Sequence, residues 1–375
     1  MVKKAFSVIV AVVMLLCLST FFACDDNTPP PSESASVLTD LARPIKNEVV
    51  GKRQNCVWDM HLFKGKLYVG TGDYTANSGQ TEILAYDLSK KTWEGVWTAP
   101  SHAITRFVEI NSKLVALGTD PINDWTFGEY YTLEQTEFFA NRKLPGGIHT
   151  FDMTVYDGKI FAGLGVQHPD SPIVVSENGG SSFTRITLLK NENPLDFSNY
   201  DTARVYEFIQ FNGKLYAVLV VGDNERTELY EYIGGKYFVY HDDWTEKITF
   251  AQAGENMLCG KVLYNGALYF TSGVLYKTTD LTTITSESTL SQGAVTDLLV
   301  ANNSLFVLRV QKLVGGGYLN TILKSDGDTF TDVYSFEYGV PAICMEYYDG
   351  YFYLGMGDKL NNNPLNGKVL SVEYS

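Results

Sequence analysis

Phe63-Lys64-Gly65-Lys66-Leu67-Tyr68-Val69-Gly70 returns in near copies along the whole chain. The copies are Ile110-Asn111-Ser112-Lys113-Leu114, Tyr156-Asp157-Gly158-Lys159-Ile160-Phe161, Phe211-Asn212-Gly213-Lys214-Leu215-Tyr216, Tyr264-Asn265-Gly266-Ala267-Leu268-Tyr269, Ala301-Asn302-Asn303-Ser304-Leu305-Phe306 and Tyr348-Asp349-Gly350-Tyr351-Phe352-Tyr353. Asn-Gly and Asp-Gly between alternating apolar residues signal a two-residue hairpin, because both central positions of a type I′ turn need positive φ. Each copy therefore predicts a β-hairpin.

Measured between Gly65, Ser112, Gly158, Gly213, Gly266, Asn303 and Gly350, the intervals are 47, 46, 55, 53, 37 and 47 residues. A period of about 40 to 50 residues with only β patterning points to propeller blades rather than a helical solenoid. The first unit reads as strands at 56–63, 66–72, 82–87 and 92–97, and the later units follow it. The seventh shows only three strands before the chain ends, the last at 368–374. Residues 41–50, with Ile45, Val49 and Val50, are the expected fourth strand, which would cover an exposed sheet edge. The expected fold is thus all-β: one seven-bladed β-propeller of four-stranded blades, closed by an N-terminal strand, over residues 41–375.

A weaker repeat marks the corner between third and fourth strands. It reads Ser176-Glu177-Asn178-Gly179-Gly180-Ser181-Ser182-Phe183 in the third unit and Ser325-Asp326-Gly327-Asp328-Thr329-Phe330 in the sixth. Fainter echoes occur at Thr278-Thr279-Asp280 and from Tyr86-Asp87-Leu88 to Thr92-Trp93. These corners resemble the Asp-box hairpin of sialidase-type propellers, Ser-x-Asp-x-Gly-x-Thr-Trp, with Asn178 where Asp is usual. A short polar side chain bonding local backbone, a permissive Gly and a tucked aromatic make a folding staple rather than an active site.

Lys3 and Lys4 precede an uncharged run over residues 5–23, followed by Cys24 and then Asp25, Asp26 and Asn27. This is a signal-peptide layout. Phe21-Phe22-Ala23-Cys24 resembles the lipobox of bacterial lipoproteins, which implies cleavage after residue 23 and lipid on Cys24. An uncleaved membrane helix is the competing reading, since the run is just long enough to span. Residues 24–40, with Pro29-Pro30-Pro31 and Ser32, Ser34 and Ser36, read as a lipidated Cys and a flexible spacer. A bacterial cell envelope location is expected, at the outer membrane. The formal charge of −14 excludes nucleic acid as the main partner and limits membrane contact to the anchor. Cys56, Cys259 and Cys344 are too few for a disulfide framework and are not spaced for zinc. A monomer is expected.

Counting six residues back from each reference position gives Asp59, Arg106, Asp152, Glu207, Gly260, Asp297 and Cys344. Five are charged within otherwise apolar strands. Alternation sends this set into a central channel and its neighbours, Met60, Phe107, Met153, Phe208, Lys261, Leu298 and Met345, into the packing between blades. Four carboxylates at one depth with Arg106 as their only opposite charge would favour a cationic partner. Calcium is the first candidate. Long loops opposite the turns, at 73–77, 120–125, 167–170, 191–200, 223–226 and 358–363, form an expected binding face. Trp58, His149, Arg204 and Tyr206 join the channel residues as candidate ligand contacts.

No catalytic or metal-binding motif stands out among the His residues or elsewhere. The expected function is a membrane-anchored, non-catalytic lipoprotein that binds a glycan or a protein on that loop face. The alternative is a glycoside hydrolase of sialidase type. Such enzymes need three Arg on a carboxylate plus an acid and a nucleophile. Arg53, Arg106 and Arg204 are available for this, with Asp59, Asp152, Tyr206 and Glu207 near them, but the Arg-Ile-Pro signature of that family is absent.

Overall fold

The computed structural model describes residues 38–41, 56–72, 79–122, 124–166, 170–222, 226–248, 260–327, 329–358 and 363–374. Residues 1–37, including Cys24 and the expected signal segment, lie outside the described residues, as do Arg53 and Cys259. Among the described residues the chain is all-β, with two short 3₁₀ turns at Phe197–Asn199 and Ser288–Leu290 and no α-helix.

The strands form antiparallel four-stranded units in chain order. Unit 1 contains Cys56–Phe63, Lys66–Gly72, Thr81–Asp87 and Thr92–Ala99. Unit 2 contains Ser101–Ile110, Lys113–Pro121, Phe127–Glu134 and Glu137–Pro145. Units 3 to 6 begin at His149–Tyr156, Ala203–Phe211, Gly260–Tyr264 and Ala294–Ala301. Unit 7 has three strands, Ala342–Tyr348, Tyr351–Met356 and Val369–Glu373. Its fourth is Thr39–Asp40, antiparallel to the last, with Thr39 opposite Ser371 and Asp40 opposite Leu370.

That pairing corrects the expected closing strand and domain boundary. The edge is covered by Thr39–Asp40, ahead of residues 41–50, and the folded unit begins at Leu38. Leu41 donates its N–H to the Val369 carbonyl (3.0 Å) and accepts from Trp93 Nε1 (2.7 Å), so it ties unit 7 to unit 1. Residues 42–50 lie outside the described residues.

All seven hairpin turns have the positive φ pair that the sequence demanded. The values are 49° and 76° at Lys64 and Gly65, 51° and 62° at Asn111 and Ser112, and 47° and 56° at Asn302 and Asn303. The other four place Asn or Asp before Gly in the same region. The corner staples also form. Asn178 Oδ1 accepts from Ser182 N (3.0 Å), Asp326 Oδ1 from Thr329 N (2.9 Å), and Asp280 Oδ1 from Thr282 and Thr283 N. Asp87 Oδ1 accepts from the N–H groups of Ser89 and Lys90.

Apolar side chains join each unit to the next. Phe63 and Tyr68 of unit 1 pack with Phe107 and Leu114 of unit 2, and one large cluster runs through units 2, 3 and 4. Ile209 and Trp244 of unit 4 meet Phe270 of unit 5, whose Tyr269 packs with Leu298 and Leu305 of unit 6. Phe306 of unit 6 meets Phe352 of unit 7, and Cys344 and Tyr353 of unit 7 meet Val57 and Leu67 of unit 1. Cys56 and Cys344 are buried thiols in this packing.

Candidate functional site

Six of the seven first strands carry a β-bulge at one equivalent place. Pairing skips Trp58, Thr105, Phe151, Tyr206, Thr296 and Ile343, each immediately before the residue six back from the turn. A bulge adds an unpaired residue, bends its strand and re-aims the side chain that follows. Here that residue is Asp59, Arg106, Asp152, Glu207, Asp297 or Cys344. The described part of unit 5 has no such shift, and Gly260 stands at its equivalent position.

A cavity of about 500 Å³ is lined by the first strands of all seven units, from Asp59, Arg106, Asp152, Glu207, Gly260 and Asp297 toward the hairpin turns. Among the described residues, none earlier in a first strand lines it. The charged set is therefore one end of the cavity, and the other end opens on the turn side, where the lining residues Leu263 and Glu109 are 55% and 51% exposed. The residues four back from each turn, His61, Val108, Thr154, Ile209, Val262, Leu299 and Glu346, share this lining. Two-residue alternation from the charged set accounts for them.

Three of the expected channel carboxylates clasp neighbouring strands. Asp59 Oδ2 accepts from Phe107 N (2.6 Å), Asp152 Oδ2 from Phe208 N (2.8 Å) and Asp297 Oδ2 from Met345 N (2.7 Å). They bind unit 1 to unit 2, unit 3 to unit 4 and unit 6 to unit 7. Asp59 Oδ1 and Asp297 Oδ1 also accept the N–H of their own next residue.

The expected burial of Lys261 between blades is corrected: it reaches into the cavity. Lys261 Nζ bonds Asp152 Oδ2 (2.8 Å) and Glu207 Oε2, while Arg106 pairs with Glu207 and lies 3.7 Å from Asp152. Arg106 is thus not the only cation of the set. Gly260 itself leaves room for Asp297 of the next unit, since a Cβ on it would stand 2.8 Å from Asp297 Oδ1. Burial opposes the Asp152 charge, but Lys261 and Arg106 outweigh it and hold the carboxyl below its usual range. Burial likewise works against the Arg106 charge, and Glu207 and Asp152 reverse that.

Burial holds the Glu207 carboxyl above its usual range even beside Arg106 and Lys261, and it acts in the same direction on the opposite wall. Burial pushes Asp297 and Glu346 up to about 8, and Asp59 rises for the same reason. The mutual repulsion of these carboxyls adds to burial at Asp297 and Glu346. His61 joins this wall, with Nε2 3.3 Å from Glu109 Oε1 and Nδ1 3.9 Å from Glu346 Oε1. Among the described residues no group of three or more His, Cys, Asp or Glu could hold a metal ion. The cation between Asp152 and Glu207 is the Lys261 ammonium.

The remaining candidates lie beyond the charged set, away from the cavity. Trp58 is a buried bulge residue whose Nε1 donates to the Gly72 carbonyl (2.7 Å). Tyr206 is another, 4.5 Å from the Phe151 ring and accepting from Arg204 Nη1 (3.3 Å). His149 stacks on Phe151, with Nδ1 3.2 Å from Asp120 Oδ1. Burial pushes His149 down to about 3 and Asp120 up to about 7, so the imidazole is neutral at pH 7. The expected binding loops at 73–77, 167–169, 223–225 and 359–362 lie outside the described residues.

No family model matches the chain, and no curated protein matches it. Among solved structures, the computationally designed Ika8 protein is similar, with a TM-score of 0.50 and 8% identity, over 86% of this chain and 98% of that one. At such identity the likeness concerns the fold alone, an all-β chain of repeated antiparallel units.

Proposed function

We propose that this chain is a seven-bladed β-propeller lipoprotein of the bacterial cell envelope, held at the outer membrane by lipid on Cys24, and that it binds a glycan without catalysis. The blade count is supported by seven equivalent hairpins and by apolar packing that runs from each unit to the next and from the seventh to the first. The anchor is supported by the Lys3-Lys4, apolar run and Ala23-Cys24 sequence.

One observation carries the binding reading: the charged groups at the end of the cavity away from the turns are bonded to one another or to backbone. Asp59, Asp152 and Asp297 hold N–H groups of adjacent strands, and Arg106 and Lys261 share Asp152 and Glu207. Such groups shape and orient. A nucleophile or general acid needs a carboxyl free to meet substrate. The cavity volume falls within the ordinary range for small-ligand sites, and Thr154, Gln210 and His61 add hydrogen-bonding groups to its wall. This moves the proposed site from the loop face to the turn side. The hydrolase alternative loses support, because of the two described arginines considered for it, Arg106 lines the cavity and Arg204 does not.

The test is a glycan array probed with the mature protein, with hits checked by thermal shift, because a ligand that binds only the folded state raises the melting temperature. Array binding lost in Gln210→Ala supports the cavity. Turnover of a bound glycan, or hits unaffected by cavity substitutions, would overturn the reading. Mass spectrometry of the mature N-terminus should show lipid on Cys24, and an intact residue 1 would remove the anchor.

A further inference from the structure

A second cavity, of about 220 Å³, lies in the seam between units 2 and 3. It begins where the central cavity ends. On the first strand of unit 2, Val108 and Glu109 line the central cavity, and the residues that follow them, Ile110 and Asn111, line the seam. Met153 of unit 3 borders both spaces. Val115 of unit 2 and Ile160 of unit 3 add apolar surface to the seam, and Asn141 and Lys143 on the outer strand of unit 2 add polar groups.

Two donors on this lining lack the partners such groups ordinarily have. Tyr130 is only 6% exposed, and among the described residues its hydroxyl forms no hydrogen bond. A buried tyrosine hydroxyl usually finds a partner, as the adjacent Tyr131 does with Ser101 and Glu129. Burial, with no hydrogen bond to offset it, pushes Tyr130 up to about 12. The hydroxyl lies beside Gly180 of the unit 3 corner, where a Cβ would touch it at 3.4 Å. Lys143 Nζ donates to the Gly180 carbonyl (3.3 Å), and no carboxylate of the described residues pairs with it. Lys113 in the same seam is instead held by Glu134 (2.6 Å). Asn141 gives its amide N–H groups to Thr132 Oγ1 and the Phe139 carbonyl, which leaves Oδ1 as an acceptor.

We infer that the seam is a second sugar subsite, so that the glycan is an oligosaccharide with one ring in the central cavity and a further ring between units 2 and 3, its hydroxyl oxygens accepting from Tyr130 and Lys143. The inference rests on the central cavity being a glycan site and specifies the length of what it takes. A ligand that displaces water from the seam must supply an acceptor to Tyr130, because a hydroxyl buried without one loses the full cost of its desolvation. An alkyl chain cannot do so. A pyranose ring can, since its hydroxyls both accept and donate while its C–H faces cover Val115 and Ile160, the mixture of apolar wall and few placed polar groups that small-ligand sites share. The shared border at Met153 gives a linked ring its path from one space to the other.

Calorimetric titration of the mature protein with one- to four-residue ladders of β-1,4-linked glucose, β-1,4-linked N-acetylglucosamine, α-1,4-linked glucose and β-1,4-linked mannose measures affinity against length. The expected result is one ladder whose affinity rises at least about tenfold as rings are added beyond the first and then levels off. Tyr130→Phe, which removes only the hydroxyl, should weaken the longer members about fivefold, the scale of one neutral hydrogen bond, and leave the shortest binding member unchanged. Lys143→Met should remove about tenfold from the same members, the scale of a charged one. Gln210→Ala in the central cavity should weaken every member. Affinity independent of length, or a length gain that both seam substitutions leave intact, overturns the subsite, and the central site stands alone if Gln210→Ala still abolishes binding. A cavity-dependent array hit that is a monosaccharide, or that both seam variants bind unchanged, overturns it equally. If neither the ladders nor the array yields a cavity-dependent glycan, both readings fall.

Discussion

Lys261 shows how one side chain changes the electrostatics of the whole cavity. It follows a glycine, lies in the unit whose described first strand lacks the bulge, and places its ammonium between Asp152 and Glu207. Removing one partner from a buried ion pair leaves uncompensated charge. The Lys261 side chain is 30% exposed, so water softens the loss. Lys261→Met should destabilise the fold by about 2 kcal/mol, read from a denaturant midpoint; a midpoint equal to wild type would show that the pair contributes nothing net. Asp297 gives a prediction with a definite pH sign. Its folded pKa of about 8 lies above the ordinary 3.8. The proton it retains therefore adds stability that is complete below about pH 4 and is lost as pH rises through 8. Asn cannot ionise. The melting temperature of wild type minus that of Asp297→Asn should fall steadily between pH 4 and pH 8 and then level off; a difference constant with pH would contradict the buried, protonated carboxyl.

At the scale of elements, the hairpins and the bulges divide the work. The turns fix register, and the bulges aim the residue after them toward the centre. Two turns lack glycine at the second central position, Ser112 with φ 62° and Asn303 with φ 56°. A left-handed conformation costs an ordinary L-residue roughly 1–2 kcal/mol, and Asn tolerates it better than Ser. Ser112→Gly should therefore stabilise the protein, by about 0.5 kcal/mol once the added freedom of the unfolded chain is subtracted. Asn303→Gly should give less. Thermal melts of the two variants check the order, and a destabilised Ser112→Gly would mean that the hydroxyl makes a contact worth more than the strain. The carboxylate clasps act at the same scale. Asp59, Asp152 and Asp297 tie first strands together at points where the ladder of one unit does not reach the next.

For the molecule as a whole, the seventh unit is completed by residues from the other end of the chain. Thr39–Asp40 pairs with Val369–Glu373, Lys368 Nζ bonds Asp40 Oδ2 (2.8 Å), and Leu41 bridges to Trp93 of unit 1. A chain starting at residue 42 loses all of these and exposes the edge of unit 7. It should melt several degrees lower than a chain starting at residue 36 and aggregate more readily when heated. Equal melting of the two would show that the short strand contributes little to closure.

The repeat, the seven turns, the strand order within units and the ring of charged residues were all legible in the sequence. Each follows from local chemistry: positive φ needs Gly, Asn or Asp, and alternation decides which face a side chain takes. His61 and Glu346 were within reach of the same alternation, two residues beyond the charged set. Tertiary structure decided the rest. Alternation cannot anticipate a bulge, because the extra residue is accommodated by pairing across strands; Trp58 and Tyr206 could not be placed from their own strands for that reason. Nor can it tell that Lys261 turns inward, since this depends on Asp152 and Glu207, which are distant in sequence. The closing strand was sought in the more apolar residues 41–50, yet Thr39–Asp40 takes the edge. A two-residue edge strand is selected by its backbone hydrogen bonds, and hydrophobic pattern carries no information about those.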